Sequence, residues 1–356
     1  MSVERLQSIR SLIKGTGDEA LLLTAREDVR WACGFSGSSG AVLICETEAT
    51  LFTDSRYAEQ APLEVDGTTV EIYSGDLLAA VGRHPTASSL SSIAVDGGRM
   101  SVAEFRRVQS WPNEPQVRSY DFLLSPLTAV KSDDEIRRMR RAQEISDGVF
   151  EEILSLIEPG VSERELAAEI VYRHLKRGAE AMSFEPIVAS GPNGALPHAQ
   201  PTDRRFANGD LVVLDFGCFV EGYASDMTRT VGLGRPESDA LEAYSAVRRA
   251  QEAAQGAARS GIKACDLDGI ARGLIEEAGL GGAFSHGLGH GLGLRLHESP
   301  RLAAANDEIL PDRAVVTIEP GVYIPGRFGV RIENAVILRP GDCIALPQSP
   351  TNLILL

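Results

Sequence analysis

Basic residues are in short supply in this sequence: 35 lysines and arginines stand against 50 acids, a formal net charge of −15 over 356 residues. A surface of that sign repels phosphate backbones and anionic headgroups, which sets aside nucleic acid and membranes as partners. Cysteine offers no framework either. Cys33, Cys45, Cys218, Cys265 and Cys343 include no C-x-x-C pair, and five thiols cannot all close into disulfides within one chain, a pattern suited to a reducing cytoplasm. No run reaches the ~18 apolar residues of a membrane span. The segment from Met1 to Lys14 reads as an amphipathic helix, with Leu6, Ile9, Leu12 and Ile13 apolar, and lacks the apolar core of a signal peptide. Repeats and low-complexity tracts are also missing. What is present is an ordinary globular composition, 43% hydrophobic and 24% charged, long enough for two cores.

Short apolar runs at Ala20–Thr24, Ala41–Cys45, Thr50–Thr53 and Ile93–Val95, bounded by Gly, Ser or Asp, read as buried strands. Between them lie helical patterns such as Ser101–Ser110, where Ser101 and Glu104 have capping-box spacing. Residues 1–122 are therefore expected to form a small alternating α/β domain and 123–131, with Ser125-Pro126, a linker. A second domain, 132–356, opens on Ser132-Asp133-Asp134-Glu135, acids that suit the positive end of a helix. Helices are expected at about 132–157, 162–178, 237–260 and 266–279, with strands and turns grouped between and after them. That grouping predicts α+β rather than a doubly wound sheet.

The segment Leu211–Thr230, LVVLDFGCFVEGYASDMTRT, reads as a β-hairpin turning near Glu221-Gly222, with Asp215 and Asp226 roughly opposite each other. Buried, such a pair repels unless a cation or a proton neutralises it. The plain alternative makes Asp226 a solvated strand end and Asp215 a turn cap. Glu319 follows the apolar run Ala314–Ile318, and Glu333 falls inside the strand-like Gly329–Leu338. Pairing with Arg331 would explain Glu333 alone, whereas a shared cation site explains both glutamates. Only six histidines occur, and three of them, His286, His290 and His297, lie in HGLGHGLGLRLHESP, whose glycines permit close approach to a ligand. Four carboxylates and one imidazole form a hard, oxygen-rich ligand set suited to divalent manganese, cobalt or zinc, and bridging carboxylates can hold two such cations. Two cations bridged by carboxylates activate a water and polarise a carbonyl, which is hydrolase chemistry.

In order and in flanking motif, Asp215, Asp226, His290, Glu319 and Glu333 resemble the pita-bread metallopeptidases, and among them the aminopeptidase P and prolidase branch. The motifs are LDFG, SDMTRT, HGLGHGLGL, TIEPGVYIPG and GVRIENAV, with GFSGSSG and FTDSRYAEQ similar to a creatinase-type N-terminal domain. The resemblance implies a C-terminal pita-bread catalytic domain behind a smaller N-terminal α/β domain, two metal ions, and hydrolysis of Xaa-Pro bonds. It implies Glu319 as proton shuttle, His198 and His297 as catalytic contacts to substrate and tetrahedral intermediate, and His286 as a substrate contact. Arg331 is expected to orient an acid, Thr228 to do the same beside Asp226, and Phe184 to wall the proline recess. Arg295 departs from the acidic residue that relatives often carry before His297. An aminopeptidase acting on peptides with proline second is preferred over an Xaa-Pro dipeptidase, whose need for a cation at the substrate carboxylate Arg295, Arg327 or Arg331 could meet. A homodimer is expected, with the N-terminal domain of one subunit near the other's active-site mouth. Of the competing readings, methionine aminopeptidase is disfavoured by the N-terminal domain and the context of Glu333, creatinase and a catalytically inactive binding protein by the full ligand set, and a two-metal phosphoesterase by the scarcity of Arg and Lys in these segments.

Overall fold

The computed structural model describes residues 2–356 and separates into two compact units, Met1–Thr128 and Ala129–Leu356. The expected first helix is present as Ser2–Thr16; Met1, where it was expected to start, lies outside the described residues. Among the described residues no helix is long and apolar enough to cross a membrane.

The first unit carries a six-stranded sheet built from β1 (Ala20–Leu23), β2 (Gly40–Cys45), β3 (Ala49–Asp54), β4 (Thr69–Tyr73), β5 (Ser92–Asp96) and β6 (Gln116–Tyr120). The strand order is β4-β3-β2-β1-β5-β6, mixing parallel and antiparallel pairs. The four inner strands are the apolar runs read from the sequence. The two edge strands were not foreseen, and the reason is physical: TVEIY and QVRSY are half-exposed, so they carry Glu71 and Arg118 where an inner strand could not. The helix Val102–Gln109 has both halves of its capping box, Glu104 N donating to Ser101 Oγ and Ser101 N to Glu104 Oε2.

The second unit contains two halves, each of antiparallel strands backed by a pair of helices. In the first half, helices Asp133–Ile153 and Glu163–Lys176 both start in capping boxes, at Ser132 and Ser162. They pack on β7 (Ala181–Met182), β8 (Ile187–Ser190), β9 (Leu211–Phe216), β10 (Cys218–Val220), β11 (Tyr223–Ala224) and β12 (Met227–Gly232), with Val149, Phe150, Ile170, Leu214 and Phe216 in the shared core. These strands form two three-stranded sheets, β11-β10-β7 and β12-β9-β8. In the second half, helices Ser238–Ala257 and Ala264–Glu277 share a core with β13 (Gly289–Gly291), β14 (Glu298–Leu302), β15 (Val315–Ile318), β16 (Gly321–Ile324), β17 (Phe328–Arg331), β18 (Asn334–Leu338) and β19 (Cys343–Ala345). The sheet order there is β14-β13-β15-β18-β19, with β16 and β17 as a separate hairpin.

The hairpin of the first half closes at Glu221-Gly222, whose φ angles of 47° and 80° form the two-residue turn that matches strand twist. Its register corrects one expectation. Asp215 sits opposite Thr228, not Asp226, because the β9–β12 ladder ends at Met227 and Asp226 lies one residue before it. Between β9 and β10 the chain bends at Gly217, where a Cβ would stand 1.9 Å from the Ser225 carbonyl oxygen. The bend therefore requires glycine. A second correction concerns Glu333: it occupies the break between β17 and β18 rather than the interior of one strand.

Candidate metal centre

Burial without neutralisation is the first feature of the site. Asp215, Asp226 and Glu333 are 8%, 4% and 2% exposed, and Glu319, at the end of β15, is half-buried. They come from both halves of the unit: two from the hairpin, two from the ends of β15 and β17. His290 on β13 joins them, its Nε2 3.6 Å from Asp226 Oδ2 and 3.4 Å from Glu319 Oε1. One ligand atom each from Asp226, His290 and Glu333 fall within 4.8 Å of one another, a spacing able to hold a metal ion.

The imidazole is oriented for that task. His290 Nδ1 lies 3.0 Å from the Gly291 carbonyl oxygen, so Nδ1 carries the hydrogen and Nε2 presents its lone pair to the acids. Burial pushes its pKa down, which keeps the ring neutral and able to ligate. The carboxylates shift the other way. Burial, then the charges of Glu333, Asp215 and Glu319, push Asp226 well up; burial, then Glu319 and Asp215, do the same to Glu333; and Glu319 rises to about 7, chiefly through burial. Such a cluster needs positive charge.

One cation is built in. Arg331, 4% exposed, donates from Nη2 to Asp215 Oδ2 at 2.6 Å, from Nε to Thr228 Oγ1 at 3.2 Å and from Nη1 to Tyr323 Oη at 2.8 Å. Thr228 in turn donates to Glu333 Oε2 at 2.6 Å. The neighbour of Arg331 is thus Asp215 in the other half, not Glu333 two residues on. A single guanidinium cannot neutralise four acids, and the other oxygen of Asp215, Oδ1, is buried with no hydrogen-bond partner among the described residues. An orphaned carboxylate oxygen facing a hard donor set fits a divalent cation.

Three of the other residues expected from the sequence, His297, His198 and His286, lie around this cluster. His297 is exposed, its ring edge-on to His290 with centroids 4.3 Å apart. His198 is exposed on the segment after β8, near Glu319, His286 and His297. Arg331 Nη1 also reaches the Pro197 carbonyl, 3.2 Å away, so the peptide next to His198 is tied to the group that holds Asp215. His286 is held at both nitrogens: Nδ1 donates to the Gly287 carbonyl at 2.8 Å, and Nε2 accepts from Tyr323 Oη at 3.0 Å. Burial first, then Arg331 nearby, lowers it to about 4, consistent with a neutral ring in that chain of donors. Phe184 is half-buried on the bend between β7 and β8, beside Ser183, whose hydroxyl donates to the Ser225 carbonyl.

Several contributors were not foreseen. Tyr323 links His286 to Arg331; its place two residues along β16 from Gly321 in TIEPGVYIPG was the available signal. Thr317 accepts from His290 N at 3.0 Å and donates to Glu319 Oε1 at 3.1 Å. Arg229 is 2% exposed and grips the Glu333 carbonyl, the Asn334 side chain and the Ser349 carbonyl. Burial brings it down to about 10. Lys131 and Glu298 form a buried pair at 3.0 Å, and Glu298 also accepts from Arg295 N at 3.0 Å, closing the loop that bears His297.

Comparison with known proteins supplies the lineage of this arrangement. Residues 137–340 match the model of metallopeptidase family M24, and residues 5–123 that of the creatinase/prolidase N-terminal domain. An Xaa-Pro dipeptidase of Pyrococcus furiosus is 33% identical over 352 residues, covering 99% of both chains. Among solved structures, an Xaa-Pro dipeptidase from Bacillus anthracis superposes with a TM-score of 0.97 at 34% identity, covering 100% of both chains. An X-Pro aminopeptidase from Thermotoga maritima does so with 0.90 at 37% identity, covering 96% of this chain and 98% of that one. The sheets, the helix pairs and the acid-rich centre are those of a pita-bread enzyme with a creatinase-type first domain, and the chain belongs to metallopeptidase family M24.

Proposed function

We propose that this chain is an Xaa-Pro dipeptidase that works with two divalent cations, manganese first among them. The observation that carries the reading is the convergence of Asp215, Asp226, His290, Glu319 and Glu333 in a buried centre with an orphaned Asp215 oxygen. These five residues would hold the cations. When bound, the pair supplies a nucleophile at neutral pH and Lewis-acid polarisation of the scissile carbonyl.

The chain's own residues supply the rest. Glu319 takes the proton of the attacking water and delivers it to the proline nitrogen, a leaving group that carries no hydrogen of its own while in the peptide bond. His198 and His297, exposed beside the cluster, donate to the oxygen that becomes negative in the tetrahedral intermediate. His286, locked by Tyr323, borders the site of the residue after the scissile bond, and Phe184 walls its recess. Arg331 and Thr228 fix the orientations of Asp215 and Glu333.

The preference for a dipeptidase amends the aminopeptidase preference drawn from the motifs. It is supported by the dipeptidases of Pyrococcus furiosus and Bacillus anthracis, which match this chain from end to end. A dipeptidase must also recognise a free carboxylate. Arg331 is committed to Asp215, and Arg327 is held by Glu237 and Asp239 on the surface, so neither is unengaged for that task. The Thermotoga maritima aminopeptidase favours the second reading, removal of the first residue from longer peptides. Hydrolysis of Ala-Pro, Ala-Pro-Ala and Ala-Ala-Ala by manganese-loaded protein, with Asp226→Ala as control, tests both. Cleavage of Ala-Pro alone supports the dipeptidase. Cleavage of Ala-Pro-Ala between its first two residues establishes the aminopeptidase, and no metal-dependent cleavage of either proline substrate overturns both readings.

A further inference from the structure

Away from the acids, one buried carboxylate has an unusual set of neighbours. Glu163 is the first residue of the helix Glu163–Lys176 and is fully buried. Its Oε1 accepts from Ser190 N at 2.7 Å, Ser190 Oγ at 2.7 Å and Asn193 Nδ2 at 3.2 Å. Its Oε2 accepts from Asn193 Nδ2 at 3.0 Å, Thr202 N at 3.0 Å and Thr202 Oγ1 at 2.6 Å. Backbone bonds run alongside, Arg164 N to Thr202 O and Glu163 N to Arg204 O. The position at the helix start adds the favourable end of the helix dipole.

These partners are the two ends of a single segment. Ser190 closes β8, Thr202 lies twelve residues on, and between them run the turn Gly191–Ala195, exposed Leu196 and His198. The middle of the segment is held separately: Arg331 donates to the Pro197 carbonyl, and Gly194 lies against Gly329, where a Cβ would stand 1.8 Å from the Gly194 carbonyl oxygen. Both ends bond Glu163, beside the pairing of Ser190 with Val212 in the sheet and the bond from Arg164 N to Thr202 O. We propose that Glu163 is a positioning residue that pins both ends of the 190–202 loop and so fixes where His198 meets the substrate. This rests on the assignment of His198 as a substrate contact made above.

The chemistry of the pocket makes the idea sharp. A backbone N–H approaches each oxygen, from Ser190 on one side and Thr202 on the other. A glutamine at this position must turn its NH2 group toward one of them, whichever way the amide flips, and so releases one end of the loop. An isosteric change that is harmless at most surfaces therefore breaks this clamp.

The test uses the full chain loaded with Mn2+ and four variants: Glu163→Gln, Thr202→Val, His198→Ala and the Glu163→Gln/His198→Ala double. Expected for Glu163→Gln is a fall in kcat/KM on Ala-Pro of about 100-fold, the scale of an ångström-sized misplacement. Mn2+ affinity by calorimetry stays at the wild-type value, and amide exchange across 190–202 accelerates. The double variant is no slower than His198→Ala, because a loop whose histidine is gone has nothing left to misplace. Thr202→Val, which keeps the carboxylate and removes one hydroxyl, shows the same pattern at smaller amplitude and stands in if Glu163→Gln does not fold. Wild-type activity and exchange in Glu163→Gln beside an inactive His198→Ala would refute the clamp. Loss of Mn2+ affinity in parallel with activity, or additive losses in the double variant, would reduce Glu163 to a structural residue. Full activity in His198→Ala would instead refute the assignment of His198 and this route to catalysis with it.

Discussion

Buried acids occur in both units, and the two treat them differently. In the first unit Asp18 meets Arg118 Nη1 at 3.1 Å and the Tyr120 hydroxyl at 2.9 Å, and Asp96 accepts from the amides of Gly98 and Phe122. Each is satisfied by its own neighbourhood. In the second unit four acids crowd one another, only Asp215 has an arginine bonded to its carboxylate among the described residues, and one Asp215 oxygen has no hydrogen-bond partner among them. In the first unit these two acids are satisfied by the polypeptide itself. The second unit is built to be completed by something it does not encode.

The largest way to break that contrast is to remove a member of the cluster. Asp226→Asn should abolish turnover by at least about 10³-fold, the equivalent of roughly 4 kcal/mol of transition-state stabilisation. The same change should raise the stability of metal-free protein by about 1 kcal/mol, since it relieves a buried like charge. Metal-free Asp226→Asn that is less stable than wild type in urea titrations would contradict the reading of the centre. Next in size, Mn2+ at 100 times its Kd should stabilise the wild-type chain by about 3 kcal/mol for each site filled, seen as a higher urea midpoint that a chelator reverses. Asp226→Asn should lose most of that gain.

A smaller effect separates protonation from metal binding. His174 is buried beside Phe216, donates from Nδ1 to the Ile170 carbonyl and accepts from Ser146, and burial holds it at about 4 against an ordinary 6.5. As pH falls the unfolded chain takes up this proton first. Stability from His174 is therefore fully present above about 6.5 and is lost progressively toward about 4, by roughly 3 kcal/mol in all. The difference in stability between wild type and His174→Gln should shrink across that window, and a difference independent of pH would show the ring to be protonated in the folded chain. The smallest effect belongs to the first unit: Arg118→Ala should cost about 1 kcal/mol and leave kcat on Ala-Pro unchanged. A loss of activity there would show that the first unit's charges serve the chemistry after all.

The cluster was legible in the sequence because each acid announces itself locally, Asp215 by sitting in LVVLDF and Glu319 by ending an apolar run. Its supports were less so. Arg331 could be seen to need an acid, but its partner Asp215 is 116 residues away, and Lys131 and Glu298 are 167 apart. Nothing in a linear reading brings those pairs together. Strands β4 and β6 were missed for the opposite reason, that edge positions relax the apolar pattern by which strands are found. The offset of Asp215 and Asp226 was hidden because a hairpin turn fixes which residues pair only when the bend at Gly217 is known.

The contact between Gly194 and Gly329 has a consequence for altering what this enzyme accepts. A side chain at Gly329 would meet the Gly194 carbonyl oxygen at 1.8 Å and is blocked unless the loop moves, whereas one at Gly194 would meet Gly329 N at 3.1 Å and needs only a slight shift. Variation in this loop is channelled to Leu196, which is 59% exposed and two residues from His198. A library aimed at altering this loop should therefore randomise Leu196 and leave Gly329 fixed.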